Sequence, residues 1–421
     1  MIGLNVYWDT ELVGRLAQVG ARDMSFQYSG SYLATKNPRP ISLSLPLQAD
    51  AFDGPVPRSW FANLLPEGEI RGQVARKLGV SERNDFAILT GIGGDCAGAL
   101  RLLPESAPDV AEGRLIPLPW DELEAKIAST PRPSLLALIL QEGELRLSLA
   151  GAQDKLPVHL YSGQLALPSG HAASSHLLKI SSGSFPGLVQ NELFCLSLAR
   201  KVGLNVPGAE MAPTKTPILM IERYDRLVGP DGGIHRLHQE DFCQALGIPP
   251  ESKYENEGGP SLTRIFEALT RGSQSPLPDK RDLLKWVLFN YMIGNADAHA
   301  KNVSFLYGKT GDDGRPRLAP FYDLVCTEVY DQLSRKLAQK IGGEYRGDFI
   351  SGRHWDRLAA SIEVNPKYLR TLGLELCGIV EEMAPVLSEE IGKTAPGSRT
   401  LDRISQVIHK RTTRLRAELG A

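Results

Sequence analysis

A chain of 421 residues with 42% hydrophobic side chains is larger than one ordinary core and too apolar for a disordered chain, so two or three packed domains are expected. Lysine plus arginine number 47 against 49 aspartates plus glutamates, a net charge of −2 that gives no bulk electrostatic reason to bind nucleic acid or an anionic membrane. The five cysteines are scattered, with no Cys-x-x-Cys pair, which argues against a disulfide framework or zinc cluster; with no basic, apolar leader and no bilayer-length run, a cytoplasmic protein without membrane contact is expected.

Residues 2–8 alternate as a short strand, Ile41–Leu47 reads as another, and Ala62–Val80 carries a helical pattern, together a small α+β module over 1–105. Its stretch Gly91-Ile-Gly-Gly-Asp-Cys-Ala-Gly98 lacks the spacing of a dinucleotide fingerprint and reads as a structural turn. Pro104–Pro133 is rich in Pro, Glu and Ala, and a linker is expected near Pro104–Pro117. From Glu144, Leu145, Leu147 and Leu149 alternate with Arg146 and Ser148 as a strand. It runs into the small-residue loop Ala150-Gly-Ala-Gln-Asp-Lys155 and a second strand over Leu156–Tyr161. Leu165–Leu167 and His176–Ile180 extend the sheet, Leu188–Val202 is a helix with Glu192 in its first turns, and Pro217–Tyr224 is the last strand of a β-rich region over 106–225. The remainder, 226–421, reads as helical: Asp282 is placed to cap a helix through Ile293, and apolar periodicity returns over Tyr368–Leu387 and Leu401–Leu419.

Chemistry concentrates where the helix ending near Gly294 gives way to the polar loop Asn295-Ala-Asp-Ala-His-Ala-Lys-Asn302. Asp297 and Asn302 are five positions apart, the separation seen in the kinase catalytic loop, where Asp receives the hydroxyl proton and Asn binds Mg²⁺. Phe305–Tyr307 and Arg317–Tyr322 flank a Gly-Asp-Asp-Gly turn, a hairpin that would return Asp323 beside the loop as a second magnesium ligand. Upstream, Lys179 lies in an apolar strand, where a cation is costly unless it meets an anion; Glu192 on the next helix is the obvious carboxylate. Solvated turns also collect Asp and Asn, and a strand lysine can snorkel, so each feature alone has a bland reading.

Ser148-Leu-Ala-Gly-Ala-Gln-Asp-Lys155, His176-Leu-Leu-Lys-Ile180, Asn191-Glu192, Ile221-Glu-Arg-Tyr-Asp-Arg226, Lys253-Tyr-Glu-Asn-Glu-Gly-Gly-Pro260, the loop at Asn295–Asn302 and Pro320-Phe-Tyr-Asp323 occur in order, and together they resemble the HipA family of toxin serine/threonine protein kinases. Leu43-Ser-Leu-Pro-Leu47 and Asn63-Leu-Leu-Pro-Glu67 carry the likeness into the amino-terminal module. The resemblance implies a two-lobed protein-kinase-like α+β fold: the small N-terminal module and a β-rich lobe, then an all-helical C-terminal lobe. It implies ATP and Mg²⁺ as ligands, with Ala150, Gly151, Ala152, Gln153, Asp154 and Lys155 as the nucleotide loop, Lys179 on phosphates and Glu192 orienting it. Glu222, Arg223 and Tyr224 would form the adenine hinge, and Asp297 would be the catalytic base. His299, Ala300, Lys301, Asn302, Tyr322 and Asp323 would complete the nucleotide site, Asn302 and Asp323 holding the metal. Ser148 matches the autophosphorylation position, where a dianionic phosphate would repel ATP and displace the loop.

The family further implies a separately encoded helix-turn-helix antitoxin of the HipB type, operator DNA reached mainly through it, and a protein substrate such as an aminoacyl-tRNA synthetase, whose modification arrests growth. The segment between Lys179 and Glu192 is shorter than in comparable members, which bears on substrate choice. The basic run His409–Arg416 reads as a solvated helix face. A metal hydrolase using Asp297, His299 and Asp323, a small-molecule phosphotransferase and an inactive antitoxin-binding corepressor stay open as rivals.

Overall fold

The computed structural model describes residues 3–420 apart from 21, 107–112, 130–134, 136–150, 152, 182–183, 230–232, 309–313 and 395–398. The strand expected from Glu144 to Leu149, with Ser148, Ala150 and Ala152, lies outside the described residues.

Strands β1 (Gly3–Trp8), β2 (Glu11–Gln18), β3 (Met24–Tyr28) and β4 (Leu100–Pro104) form an antiparallel sheet in the order β3-β2-β1-β4. Leu4, Val6, Phe26 and Leu102 form its buried face, and helices α1 (Pro55–Ala62), α2 (Gly68–Leu78) and α3 (Asp85–Ile92) close over it through Trp60, Phe61, Val74 and Leu89. Ile41–Leu47 is not a strand but a turn with an isolated Ser42–Leu45 bridge, because Pro40 and Pro46 remove main-chain donors at its ends. The helical pattern at Ala62–Val80 is interrupted at Pro66 and at Gly68, whose φ of 56° suits glycine, so one helix ends at Ala62 and the next begins only at Gly68. The glycine-rich stretch closes α3 and turns into β4, as a structural turn should.

The second sheet joins β5 (Arg114–Pro117), β6 (Lys155–Tyr161), β7 (Gln164–Ser169), β8 (His176–Ile180), β9 (Ala209–Met211) and β10 (Ile218–Glu222) in the order β5-β7-β6-β8-β10-β9. The expected linker thus ends in a paired strand. Helix α4 (Trp120–Ala128) covers one face, where Leu123 and Ile127 join Leu156, Leu178, Ile180, Ile218 and Met220. Helix α5 (Leu188–Lys201) covers the other, Val189 and Phe194 sharing a core with Leu219 and Ile221. Period-two alternation sets the direction of the strand lysine: Leu178 and Ile180 point to α4, so Lys179 between them points to α5.

The rest is helical in the main but not throughout. β11 (Arg226–Val228) pairs with β12 (Ile234–Arg236); β13 (Gln239–Asp241), β14 (Ser304–Tyr307) and β15 (Pro316–Leu318) form a three-stranded sheet; β16 (Lys336–Ile341) pairs with β17 (Glu344–Arg346). Apart from β14 and β15, these arms are too short for alternation to stand out, so an all-helical lobe is what the resemblance and the periodicity alone suggest. The hairpin expected before Asp323 is β14–β15. Helices α6 (Leu262–Gly272), α7 (Pro276–Met292), α8 (Gly352–Ser361), α9 (Pro366–Thr394) and α10 (Arg399–Gly420) build the bulk of the lobe. Asp282 caps nothing: Pro276 opens α7 and leaves Asp282 inside it. One apolar core, including Trp286, Phe289, Leu376 and Leu415, continues back into α5 and β10 across residue 225. All five cysteines are buried and free, and no described helix is long and apolar enough to cross a membrane.

Candidate active site

A cleft of about 1150 Å³ lies where the second sheet, the helical lobe and the N-terminal module meet. On its wall, Lys179 Nζ sits 2.6 Å from Glu192 Oε1 and 2.6 Å from Asp323 Oδ1. The lysine and glutamate side chains are 3% and 0% exposed, whereas that of Asp323 is 31% exposed and opens to the cleft. Burial works against the Lys179 charge, but Asp323 and then Glu192 outweigh it and hold the amine above the usual lysine range. Asp323 is correspondingly held below the carboxylate range: its partial withdrawal from water works the other way, but Lys179 and then Lys155 outweigh it. Burial pushes the Glu192 carboxyl up even with Lys179 against it, and its Oε2 has no hydrogen-bond partner among the described residues. Asp323 adopts φ 51°, a left-handed conformation that costs a non-glycine residue roughly 1–3 kcal/mol and is kept here at the cleft.

Gly294, at φ 67°, reverses the chain after α7 and starts the polar loop. Asn295 fixes it: its Nδ2 donates to Asn290 Oδ1 at 2.7 Å and its Oδ1 accepts the Asp297 N–H at 3.0 Å. Asn302 donates from Nδ2 to the Asp297 carbonyl at 2.9 Å, which leaves its hard amide oxygen for a cation. The Asp297 side chain is 51% exposed and accepts a hydrogen bond from Tyr254 Oη at 2.5 Å. His299 is buried 3.9 Å from it, and burial pushes the imidazole down to about 4, so it stays neutral. Ala300 is fully buried beneath the loop. Tyr322 donates to the Lys301 carbonyl at 2.7 Å and so ties the loop to the segment carrying Asp323.

Lys155 opens β6 inside the cleft, where burial lowers its pKa and Asp323 opposes that shift. Gly151 adopts φ 104°, and a Cβ there would stand 3.0 Å from Lys155 Nζ, so glycine permits the close approach. Gln153 and Asp154 line the same wall. Glu222 ends β10; the Arg223 side chain turns away from the cleft centre into a buried network, and the Tyr224 ring stacks on Tyr322 at 5.6 Å. In that network Asp95 of the N-terminal module accepts from Arg223 Nη1 (3.3 Å), Arg226 Nη2 (2.9 Å), Arg236 Nε (3.2 Å) and Ser174 Oγ (2.8 Å), and Asp225 pairs with Arg223 at 2.7 Å. Thus two carboxylates face three guanidiniums.

Of the described residues expected at the site, all but the buried Ala300 line this one cleft, with the Arg223 side chain committed to the neighbouring network; the cleft offers lysines of the kind that meet phosphates, and one carboxylate and one amide oxygen of the kind Mg²⁺ takes alongside water. Among the described residues no three His, Cys, Asp or Glu side chains cluster as metal ligands. Sequence reasoning gave no site role to Glu67, Lys253 or Tyr254. Glu67 Oε1 lies 2.5 Å from Lys301 Nζ, and Oε2 lies 2.7 Å from Lys253 Nζ. All three stand in the family-like motifs, but no spacing rule pairs residues so far apart.

Comparison with known proteins gives concordant matches. The HipA N-terminal domain profile matches residues 4–103 and the HipA-like C-terminal domain profile matches 147–384. The Sinorhizobium fredii protein Y4mE is 47% identical over 391 residues, 92% of each chain. The serine/threonine-protein kinase toxin HipA of Shewanella oneidensis is 33% identical over 319 residues, covering 73% of this chain and 71% of that one. Among solved structures, the Shewanella oneidensis HipA, HipB and operator DNA complex superposes with a TM-score of 0.82 at 26% identity, covering 99% of this chain and 96% of the other.

Proposed function

The chain belongs to the HipA family, and from that premise we propose that it is the toxin of a toxin–antitoxin pair, an ATP-dependent serine/threonine protein kinase. The observation that carries the reading is the buried Lys179, Glu192 and Asp323 cluster lining the same cleft as the Asp297–Asn302 loop. In this reading Lys179, held by Glu192, orients the α- and β-phosphates, and Asn302 and Asp323 would hold Mg²⁺, which when bound would neutralise charge on the phosphates. The loop containing Gly151 and Lys155 covers them, and the Glu222–Tyr224 segment with Tyr322 receives the adenine. A serine or threonine hydroxyl attacks the γ-phosphorus, the bond to the β–γ bridging oxygen breaks so that ADP leaves, and the hydroxyl proton passes to Asp297.

The reading extends to partners by likeness to the Shewanella complex: a HipB-like helix-turn-helix antitoxin, and operator DNA through it. We assign Ser148 as an autophosphorylation site and an aminoacyl-tRNA synthetase as the protein substrate, with growth arrest and persistence as the outcome. The test is phosphosite mapping after incubation of the purified chain with Mg²⁺ and ATP, alone and with host lysate. Phosphate on Ser148 and on a host protein is expected, lost in Asp297→Gln with nucleotide binding kept. A labelled sugar or other small molecule with no labelled protein would refute the protein-kinase reading.

A further inference from the structure

Glu67 ends the turn between α1 and α2, yet it reaches three separate pieces of the cleft. Its main-chain N–H donates to the Gly151 carbonyl at 3.0 Å beside a parallel Pro66–Gly151 bridge, so the module touches the nucleotide loop. Its carboxylate spans two lysines: Oε1 to Lys301 of the Asp297–Asn302 loop at 2.5 Å, and Oε2 to Lys253 at 2.7 Å. The next residue after Lys253, Tyr254, is the one that donates to Asp297 Oδ1. The arrangement is largely withdrawn from solvent, the Lys301, Lys253 and Glu67 side chains being 4%, 15% and 19% exposed. Burial opposes the Glu67 charge, but Lys301 and Lys253 overcome it and hold the carboxyl down at about 2, so the carboxylate is ionised throughout the working pH range.

A lysine carries four flexible methylenes, and its ammonium is a point charge whose usefulness to a migrating phosphoryl group depends on where it is held. Lys301 gets that restraint from a residue of another domain. We propose that Glu67 is a positioning residue for phosphoryl transfer: it fixes Lys301 beside the transferring phosphate and, through Lys253, steadies the Tyr254 segment against Asp297. This rests on the kinase reading above. It makes the N-terminal module part of the catalytic centre. A purely adhesive salt bridge between domains would change stability and leave the turnover of folded molecules alone.

The experiment uses the full chain and labelled ATP with Mg²⁺, measuring kcat and KM for ATP together with the number of nucleotide sites and the thermal midpoint. The Glu67 N–H contact to Gly151 survives a side-chain change, so Glu67→Gln isolates the carboxylate. Expected is a kcat lower by roughly 10- to 100-fold with KM for ATP within about twofold, as for a misplaced catalytic group. Glu67→Asp, which keeps the charge but shortens the reach, should recover part of the loss. Lys253→Met should show a smaller fall in kcat, and the double variant should be no worse than Glu67→Gln alone. An unchanged or raised kcat in Glu67→Gln, or a loss fully matched by fewer nucleotide sites, would overturn the assignment. A wild-type chain that binds Mg·ATP but transfers nothing would overturn the kinase reading and this inference with it; active wild type beside an unaffected Glu67→Gln overturns the inference alone.

Discussion

Replacing Asp95 by asparagine keeps the volume and removes one charge from the junction between the N-terminal module and the nucleotide lobe. Asp95 is 4% exposed and meets the guanidiniums of Arg223, Arg226 and Arg236, each 2% exposed. Among the described residues only Asp225 would remain as a buried counter-charge paired with these guanidiniums, since Asp9, which pairs with Arg236, is 44% exposed. Arg226 is already strained electrostatically: burial and then Arg223 push its pKa down to about 10. Breaking a buried network by removing one partner costs about 3–5 kcal/mol, because the stranded charges cannot recover their hydration. With a urea slope of about 3 kcal/mol per M, that is a fall of roughly 1–1.7 M in the unfolding midpoint. Urea titration followed by tryptophan fluorescence and circular dichroism measures it. A midpoint within about 0.3 M of wild type would show that the network is not needed to join the two domains, and the reasoning from stranded charge would fall.

Lys179→Met takes from Glu192 and Asp323 the cation that both contact and leaves them only the field of Lys155; a destabilisation of about 3–5 kcal/mol at neutral pH and loss of labelling are expected by calorimetry and kinase assay, and an unshifted midpoint would contradict it. His238 is buried with Nε2–H donated to the Ile41 carbonyl at 2.7 Å and Nδ1 without a partner among the described residues, and burial pushes it down to about 4. The unfolded chain therefore binds this proton first as the pH falls. Stability is full above about 6.5 and declines toward about 4, by about 3 kcal/mol from this group. His238→Gln should flatten that part of the stability–pH curve, and an unchanged slope would assign the acid loss elsewhere.

Much of the site was legible in the sequence because its parts are local. Lys179 in an apolar strand and Asp297 to Asn302 in a polar loop each announce themselves within a few residues, and β14–β15 could be read from two apolar arms around a turn. What stayed hidden depends on long-range pairing. Ile41–Leu47 has the alternation of a strand, but proline at either end denies it partners. Asp282 has the right residue type for a cap, but Pro276 starts the helix earlier. Glu67 and Asp95 look like ordinary loop acids until the fold sets each against cations 128 to 234 positions away. No local periodicity carries that information.

The separation between Glu67 and Lys301, 234 residues, also sets an order of events during synthesis. At about 5–20 residues per second, Glu67 leaves the ribosome roughly 10–50 s before Lys301. The helices α9 and α10, which pack against α5 behind Glu192, emerge later still. A nascent chain therefore has no assembled catalytic centre until translation is nearly complete, and a product truncated before α9 would carry Asp297 and Asp323 without the scaffold that aligns them.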